Sequence, residues 1–393
     1  MFSLMVSLLL LFGCSQKNQL NLTDFVDPFI GTGGTGHTFP GATIPFGMVQ
    51  LSPDTRQNGW DNCSGYHSLN PTILGFSHTH LSGTGAIDYG DILVTPMSGT
   101  LFTEPGEETN PETGYRSRFS HSSEEAKPGY YRVTLEDDMI EAEMTVTERA
   151  GFHRYTFAIE GLSHILIDLK HGLGDRTTES WVEINGKREI IGMRRSTGWA
   201  KDQVIYFVAQ FSESFESAGI LKNGILLQDS QKNQGTDLKT FASFKFSPKS
   251  QLLVKVAISA VDIEGARKNL EKELPGWNFD KVRQSAKKRW DKMLSVISVK
   301  GGTESEKTNF YTALYHSLIA PNVFNDVDGR YRGADLKIHQ LPSNGSMYTV
   351  FSLWDTFRAA HPLFVLLYPD IATELVKTLL VKYKEGNLLP VWE

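Results

Sequence analysis

Apolar and polar residues alternate along much of the first two thirds of the chain. The run QVIYFVAQF at residues 203–211 and the partly alternating run EAEMTVTERAGFHRYTF at 141–157 have the period of half-buried strands. Further strand-like runs are YYRVTLEDD, SHILIDLKHG and QLLVKVAISAV, separated by Gly, Asn, Asp and Ser turns. Many short strands with turn signals predict an antiparallel β-sandwich domain over residues 24–275.

In the last third of the chain the apolar positions follow a helical period. Residues 279–297 carry an irregular apolar stripe. Thr303 and Glu306 then have the spacing of a capping box, in which each side chain satisfies a free backbone N–H of the first turn. Between Phe310 and Ile319 apolar residues recur on one face of a helix. The segment therefore predicts two helices.

Two more helices are predicted before residue 393. One covers residues 355–367, and the next begins at Pro369, where proline suits the first helical position, and ends with Gly386 as its C-cap. These helices are richly apolar, and the printed sequence stops inside the run GNLLPVWE. Residues 276–393 are therefore expected to be a helical linker and the first helices of a larger helical domain, truncated here.

The first 23 residues have the pattern of an export signal followed by a tether. A short apolar run, too short for a permanent membrane helix, ends in Leu-Phe-Gly-Cys, which resembles the lipobox of bacterial lipoproteins. Cys14 is then the expected lipidation site, and an ordinary cleaved signal peptide is the alternative. A lipidated Cys14 leaves Cys63, the second of two cysteines, without a disulfide partner.

Charge excludes one class of partner. The formal net charge is −6 over 393 residues, and Lys and Arg form no basic stripe. Nucleic acid binding requires clustered cations that neutralise phosphates, so no nucleic acid partner is expected. The glycine-rich segment 29–55 has no Walker lysine and does not open a helix, so we interpret it as an irregular loop rather than a phosphate-binding loop.

The segment NGWDNCSGYHSLNP at residues 58–71 places Trp60 beside Asp61. An exposed indole can stack on the C–H face of a sugar while a carboxylate accepts from two hydroxyl groups. A half-buried tryptophan next to a turn aspartate explains the same pattern. The sequence leaves both interpretations open.

The segment GFSHTHLSGTG at residues 75–85 holds His78 and His80 two positions apart. In an extended segment they would point to the same side. A zinc site, a general base, polar pocket lining and structural histidines all remain open, although zinc would need a third ligand and no HExxH or CxxC motif lies nearby. Asp88 and Asp91 follow, and without a complete calcium loop we interpret them as solvated turn carboxylates.

The segment YTVFSLWDTFRAAHPL at residues 348–363 is the densest constellation of candidate residues. Trp354 and Arg358 are spaced i, i+4, and Asp355 and Arg358 are spaced i, i+3, near a predicted helix start with His361 beyond them. A helix cap with an ion pair and a ligand-binding cluster explain this spacing equally well.

Five segments in order resemble glycoside hydrolase family 92, the exo-acting α-mannosidases of gut Bacteroidetes: VDPFIGTGGTGHTFPGATIPFGMVQLSPDT, GWDNCSGYH, GFSHTHLSGTG, SLWDTFRAAHPL and LLPVWE. The resemblance implies an N-terminal β-sandwich, a helical linker and the start of an (α/α) six-hairpin barrel, with the active site where the two domains meet. The implied reaction is calcium-dependent hydrolysis of terminal α-linked mannose with inversion, which requires a separate acid and base.

The resemblance also implies which residues bind substrate. The family's acid and base fall beyond residue 393, as do most of its calcium ligands, so no catalytic residue is assigned here. For the two histidines the resemblance favours a place near the interface pocket over zinc binding or general-base catalysis. The substrate-binding residues that it implies are Trp60, Asp61, His78, His80, Trp354, Asp355 and Arg358.

Partners and location follow from the same resemblance. Mannose-containing glycans are the expected partners, and membrane contact is expected only through the lipid on Cys14. The expected location is the periplasm or the outer-membrane surface. The alternative is a non-catalytic glycan-binding lipoprotein of the cell surface.

Overall fold

The computed structural model describes residues 21–342 and 345–392. The predicted lipidation site Cys14 lies outside the described residues, as does most of the predicted signal and tether. Leu22 and Thr23, which the sequence analysis placed in the tether, are buried, and the Thr23 backbone N–H donates to Asp291 Oδ1 at 3.0 Å. The folded part therefore begins at least two residues before the predicted boundary.

Between residues 42 and 259, all of them described, the chain forms nineteen strands. In chain order they are β1 Ala42–Thr43, β2 Gln50–Asp54, β3 Thr72–Ile73, β4 Gly75–Ser77, β5 Leu93–Ser98, β6 Ser117–Arg118, β7 Glu125–Lys127, β8 Tyr130–Leu135, β9 Ile140–Val146, β10 Ala150–Phe157, β11 Gly161–Asp168, β12 Arg176–Asn185, β13 Glu189–Thr197, β14 Gln203–Phe211, β15 Ser217–Lys222, β16 Ile225–Leu227, β17 Lys232–Gly235, β18 Leu238–Phe246 and β19 Ser250–Ser259.

Two large antiparallel sheets enclose the main core, which confirms the predicted β-rich domain. One sheet has the order β1-β2-β4-β5-β11-β18-β15-β16, and the other has the order β17-β12-β13-β14-β19-β10-β9-β8-β7. Side chains from both sheets, among them Val94, Ile165, Tyr155 and Phe207, belong to one buried cluster. Alternation along the strands places these side chains between the sheets because successive residues point to opposite faces.

Six helices occur in the described residues after the sheets. They are α1 Ile263–Glu273, α2 Phe279–Leu294, α3 Glu304–Ser317, α4 Leu353–Thr356, α5 Ala360–Leu367 and α6 Pro369–Gly386. Two short strand pairs interrupt them, β20 Asn322–Val323 with β23 Tyr348–Thr349, and β21 Arg330–Arg332 with β22 Ile338–Gln340. The capping box of Thr303 and Glu306 is confirmed at the start of α3.

Helix α1 was not predicted. It lies inside the region assigned to strands and packs on β14 and β19 of the nine-stranded sheet. Asp262 caps it by accepting from the Gly265 backbone N–H at 2.6 Å. Asn269 Nδ2 then donates to the Ile258 carbonyl at 2.9 Å, which fastens the helix to β19.

The single helix predicted over residues 355–367 is wrong, because the segment forms α4 and α5 with a break between them. Pro362 has no backbone N–H, so it cannot donate to the carbonyl of Arg358 and the first helix cannot continue through it. Helix α6 begins with Pro369 in its first turn, as predicted. Its left-handed C-cap is Asn387, with φ of 60°, one residue after the predicted Gly386.

The helices join the β domain through a second core. Trp290 of α2 is fully buried, and its Nε1 donates to the Thr43 carbonyl at 2.7 Å. Phe46 packs edge-on against Phe364 of α5, with ring centroids 5.7 Å apart. In the described residues we find no helix with the length and apolar content needed to cross a membrane.

Candidate functional site

Three loops that flank β1, β2 and β4 of the eight-stranded sheet interlock and carry the first group of predicted site residues. The loops are residues 28–41, 56–70 and 79–90. Gly83 N–H donates to the His37 carbonyl at 2.7 Å, and Ser68 N–H donates to the Thr32 carbonyl at 3.0 Å. Backbone bonds between loops hold this surface without any regular strand. The prediction that the glycine-rich segment 29–55 is an irregular loop is wrong in its second half, because β1 and β2 lie there.

Trp60 and Asp61 stand at the surface of this loop cluster. They begin a 3₁₀ turn, Trp60–Asn62, and both are exposed, with Trp60 at 56%. His37 supports the indole edge-on, with ring centroids 4.3 Å apart and an interplanar angle of 90°. An ideal Cβ at Gly85 would lie 3.0 Å from Trp60 Nε1, so glycine leaves room for the ring. The arrangement presents an indole and a carboxylate side by side to solvent.

His80 lies below these loops in a buried network with Asp54. Its Nδ1 is 2.8 Å from the Gln50 carbonyl oxygen, and its Nε2 is 2.7 Å from Asp54 Oδ1. The other oxygen of Asp54 accepts from His171 Nε2 at 2.8 Å, and Gln57 Nε2 lies 3.0 Å from His171 Nδ1. Burial alone would raise the pKa of Asp54, but the two imidazoles outweigh it and hold that pKa below its usual value.

This geometry assigns protons to both rings. His80 faces two acceptors, a carbonyl and a carboxylate, so both of its nitrogens donate and the ring is an imidazolium ion. His171 accepts from the Gln57 amide and donates to Asp54, so it is neutral. Within this network there is therefore one ion pair, Asp54 with His80.

His78 belongs to a different chain of hydrogen bonds. Its Nδ1 lies 2.8 Å from the Ile92 carbonyl, and its Nε2 lies 3.1 Å from Nε2 of His153 on the opposite sheet. The Tyr155 hydroxyl lies 2.9 Å from His153 Nδ1. A single direction satisfies every group: Tyr155 donates to His153, His153 donates to His78, and His78 donates to Ile92. Both rings are neutral, in line with burial, which lowers the pKa of His78 to about 4.

The two histidines of GFSHTHLSGTG therefore share neither a ligand nor a charge state. Both are buried, and each of their four ring nitrogens has a hydrogen-bond partner in the protein. No nitrogen is free for zinc or for a sugar hydroxyl in this arrangement. Their predicted contact with substrate stays a prediction, and the geometry favours the structural interpretation.

The prediction that Asp88 and Asp91 are solvated is wrong, because both side chains are fully buried. Asp91 accepts from Arg194 Nη1 at 2.7 Å, and Arg194 Nη2 donates to Asp175 Oδ1 at 2.8 Å. Asp88 accepts from the Ala200 backbone N–H at 2.6 Å, and burial raises its pKa to about 6. Partners that follow 103 and 112 residues later in the chain make these carboxylates structural.

The second group of predicted site residues lies on α4 and the turn after it. Trp354, Asp355 and Arg358 are all exposed, and Trp354 reaches 62%. The i, i+3 ion pair considered from the spacing is not formed. Asp355 accepts instead from Ser352 Oγ at 2.7 Å, and the guanidinium of Arg358 lies 5.3 Å from the Phe357 ring centroid.

The structure brings Trp60 together with Asp61, and Trp354 together with Asp355, but it records no contact between the two groups among the described residues. Sequence reasoning missed His37, Asp54 and His171. His37 lay in the quoted glycine-rich segment, but its position under Trp60 depends on contacts between loops. His171 had no local signal, because its partner Asp54 is 117 residues away.

Among the described residues, one group of three His, Cys, Asp or Glu side chains converges closely enough to hold a metal ion: Asp335, His339 and Glu385. Calcium takes oxygen ligands, usually six to eight of them, and an imidazole is a poor member of such a set. This group therefore does not fit calcium, and the calcium ion that the family resemblance implies, with ligands mostly beyond residue 393, stays a prediction.

Comparisons with known proteins place this geometry in a family. Residues 25–259 match the glycosyl hydrolase family 92 N-terminal domain, and residues 265–393 match the family 92 catalytic domain. A secreted glycosidase of Arthroderma benhamiae, itself uncharacterized, is 28% identical over 337 residues, which are 76% of this chain and 41% of that protein.

Solved structures give the same result. A family 92 α-mannosidase of Bacteroides thetaiotaomicron is 38% identical, with a TM-score of 0.92, covering 95% of this chain and 51% of that one. The same enzyme has been solved with mannoimidazole. An inverting family 92 mannosidase of that organism is 26% identical, with a TM-score of 0.83, covering 94% of this chain and 49% of its own. The chain thus spans about half the length of these relatives, and it belongs to glycoside hydrolase family 92.

Proposed function

We propose that this chain supplies sugar-binding loops to an exported α-mannosidase that removes terminal α-linked mannose from glycans with inversion. One observation carries the proposal: Trp60 and Asp61 are exposed side by side on a loop cluster that is held by backbone hydrogen bonds. Binding sites for small ligands combine apolar and aromatic surface with a few placed polar groups. The family membership and the mannoimidazole complex of a relative favour mannose as the ligand.

Each loop residue has a distinct role in this proposal. The Trp60 indole stacks on a sugar ring, and the Asp61 carboxylate accepts hydrogen bonds from hydroxyl groups. His37 is a positioning residue, because it holds the indole edge-on from below. Trp354, Asp355 and Arg358 supply a second polar and aromatic surface.

Inversion requires a general acid and a general base, set apart so that water can enter between them. We assign neither role to a residue of this chain. In the proposal both belong to the parts of the relatives that the chain does not span. Calcium enters only as a requirement of the whole enzyme, since the family resemblance places most of its ligands beyond residue 393.

Export is part of the proposal. It rests on the apolar N-terminal run ending at Cys14 and on the secreted relative. Lipidation at Cys14 would tether the protein to a membrane surface in the periplasm or on the outer membrane.

Mannose release from an α-1,2-linked mannobiose tests the function. A protein that contains residues 1–393 and has the full length of a family 92 enzyme is expected to release mannose with inverted anomeric configuration. NMR detects the configuration of the product. Dialysis against EDTA is expected to abolish release, and added Ca²⁺ to restore it. The 393-residue chain alone is expected to bind mannoside without turnover.

Three other results would each reject a part of the proposal. Binding without hydrolysis by the longer protein would support the alternative, a non-catalytic glycan-binding lipoprotein. Full activity after removal of Ca²⁺ would reject the calcium requirement. Robust turnover by the 393-residue chain would reject our assignment of the acid and base to residues outside it.

A further inference from the structure

We propose that Asp335, His339 and Glu385 form a binding site for a zinc-like divalent metal, distinct from the sugar-binding loops. Asp335 lies in the turn between β21 and β22, and His339 lies in β22. Glu385 lies in the last turn of α6. A shared ion would join the β21–β22 hairpin to the end of that helix.

The distances suit a small tetrahedral ion. His339 Nε2 lies 2.8 Å from Asp335 Oδ1 and 3.9 Å from Glu385 Oε1. One ligand atom from each of the three side chains lies within 4.8 Å of the other two. Ligands about 2.0 Å from zinc in tetrahedral geometry are about 3.3 Å apart, so shifts of about 1 Å would complete the site.

Gly333 gives an independent observation. An ideal Cβ at this position would lie 2.7 Å from Glu385 Oε2, 2.7 Å from His339 Cδ2 and 2.9 Å from Asp335 Oδ1. A carboxylate oxygen of Glu385, a carboxylate oxygen of Asp335 and the Cδ2 edge of the His339 ring therefore pack closely against the Cα of Gly333. They can approach this closely because residue 333 has no side chain.

The surroundings orient the ligands. Tyr331 stacks on the His339 ring at a centroid distance of 5.6 Å, and its hydroxyl donates to Glu385 Oε1 at 2.6 Å. The Ala334 backbone N–H donates to Glu385 Oε2 at 3.0 Å. Outer partners of this kind orient metal ligands in proteins.

Charge favours a cation. Two carboxylates face one imidazole, and Lys337 Nζ, 3.6 Å from Asp335 Oδ2, is an exposed counter-charge on one side only. A divalent ion would replace the direct hydrogen bond between Asp335 and His339 with bonds from both side chains to the metal. The backbone N–H of Lys337 already holds Asp335 Oδ1 at 3.1 Å, which limits its movement.

The ligand set selects the class of metal. Imidazole together with carboxylates suits Zn²⁺ and related transition ions, whereas Ca²⁺ and Mg²⁺ prefer oxygen ligands alone. A metal here would therefore be independent of any calcium used in the proposed hydrolysis. Its role would be to fix the hairpin against α6.

Titration calorimetry with ZnCl₂ on the EDTA-dialysed 393-residue chain tests the site. We expect His339→Ala to lose one equivalent of Zn²⁺ binding relative to the unmodified chain. Gly333→Ala is expected to lose the same equivalent, although it keeps all three ligands, because its Cβ would lie 2.7 Å from Glu385 Oε2 and His339 Cδ2 and 2.9 Å from Asp335 Oδ1 and so push the ligands apart. The φ angle of Gly333 lies outside the region that favours glycine, so alanine suits its backbone.

His121→Ala is the matched control. His121 also contacts a carboxylate, with Nδ1 2.6 Å from Glu124 Oε2, but the described residues give this pair no third metal ligand. The His121→Ala variant should bind Zn²⁺ like the unmodified chain. Excess Ca²⁺ should not compete with Zn²⁺ for the site in either protein. Equal Zn²⁺ binding by the unmodified chain, His339→Ala and Gly333→Ala would overturn the proposal. If His339→Ala does not fold, Gly333→Ala and Asp335→Asn decide it.

Discussion

Nε2 of His80 lies 2.7 Å from Oδ1 of Asp54, in a part of the protein where neither side chain reaches solvent. Because His80 Nδ1 also donates to a carbonyl, the pair is a buried salt bridge between an imidazolium and a carboxylate. A histidine two residues earlier, His78, is neutral. Both histidines lie in the same short segment. Their hydrogen-bond partners, rather than the neighbouring residues in the sequence, therefore decide which ring is charged.

His80→Ala is expected to lower the free energy of unfolding by about 3–5 kcal/mol, because it leaves the Asp54 carboxylate buried with one partner fewer. Urea unfolding followed by circular dichroism measures the change. Asp54→Asn in the His80→Ala background should recover part of the loss, since it removes the unpaired charge. A change below about 1 kcal/mol in His80→Ala would show that the ion pair is absent.

Acid should destabilise the protein through His78. Burial lowers its pKa from the ordinary value of 6.5 to about 4 in the folded chain, so between these values the unfolded state binds more protons. Stability therefore falls as the pH drops from 6.5 to 4, by about 3 kcal/mol from this residue. Unfolding free energies measured across that window should show a smaller slope in His78→Gln.

If His78→Gln kept the slope of the unmodified chain, the neutral hydrogen-bond chain through His153 would be incorrect.

Trp60→Ala should reduce kcat/KM for mannoside hydrolysis in the whole enzyme by roughly 10- to 100-fold, through loss of binding to the sugar in the transition state. The melting temperature should change little, because the indole is 56% exposed. Leu69→Ala, at an 82% exposed position in the same loop, is the matched control and should keep full activity. An unchanged kcat/KM in Trp60→Ala would remove this residue from the proposed site.

Arg194 and its neighbour Arg195 provide a comparison of buried and exposed ion pairs. Arg194 is fully buried between Asp91 and Asp175, so Arg194→Met should cost about 3–5 kcal/mol by leaving two carboxylates without their cation. Arg195 pairs with Asp202 at the surface, and Arg195→Met should cost at most about 1 kcal/mol. Chemical denaturation of both variants gives the comparison. Similar losses of stability in the two variants would contradict the difference in burial between Arg194 and Arg195.

Local patterns were sufficient for much of the fold. The run at residues 203–211 is strand β14 over its whole length, and the capping box at Thr303 starts α3. These features depend on side-chain alternation and on bonds within one helical turn, so neighbouring residues contain the information. Pro362 also indicates the break between α4 and α5, because a proline cannot continue a preceding helix across its own position.

Helix α1 was missed although its sequence carries a local signal. Asp262 is a favourable N-cap residue, and Ala266 and Leu270 recur at helical spacing and are buried against the nine-stranded sheet. The motifs of the candidate site were visible in the sequence, and so was the family they resemble. The sequence did not show which of their side chains are exposed.

Burial and protonation depended on residues far apart in the chain. Asp91 is buried because Arg194, 103 positions later, neutralises it. His78 is neutral because His153 and Ile92 complete its hydrogen bonds, and His80 is charged because Asp54 accepts from it. The sequence specified the residue types and their periodicity, which act over a few positions. Charge state and solvent exposure come from packing between distant segments, because desolvation and hydrogen bonding depend on what surrounds a group in space.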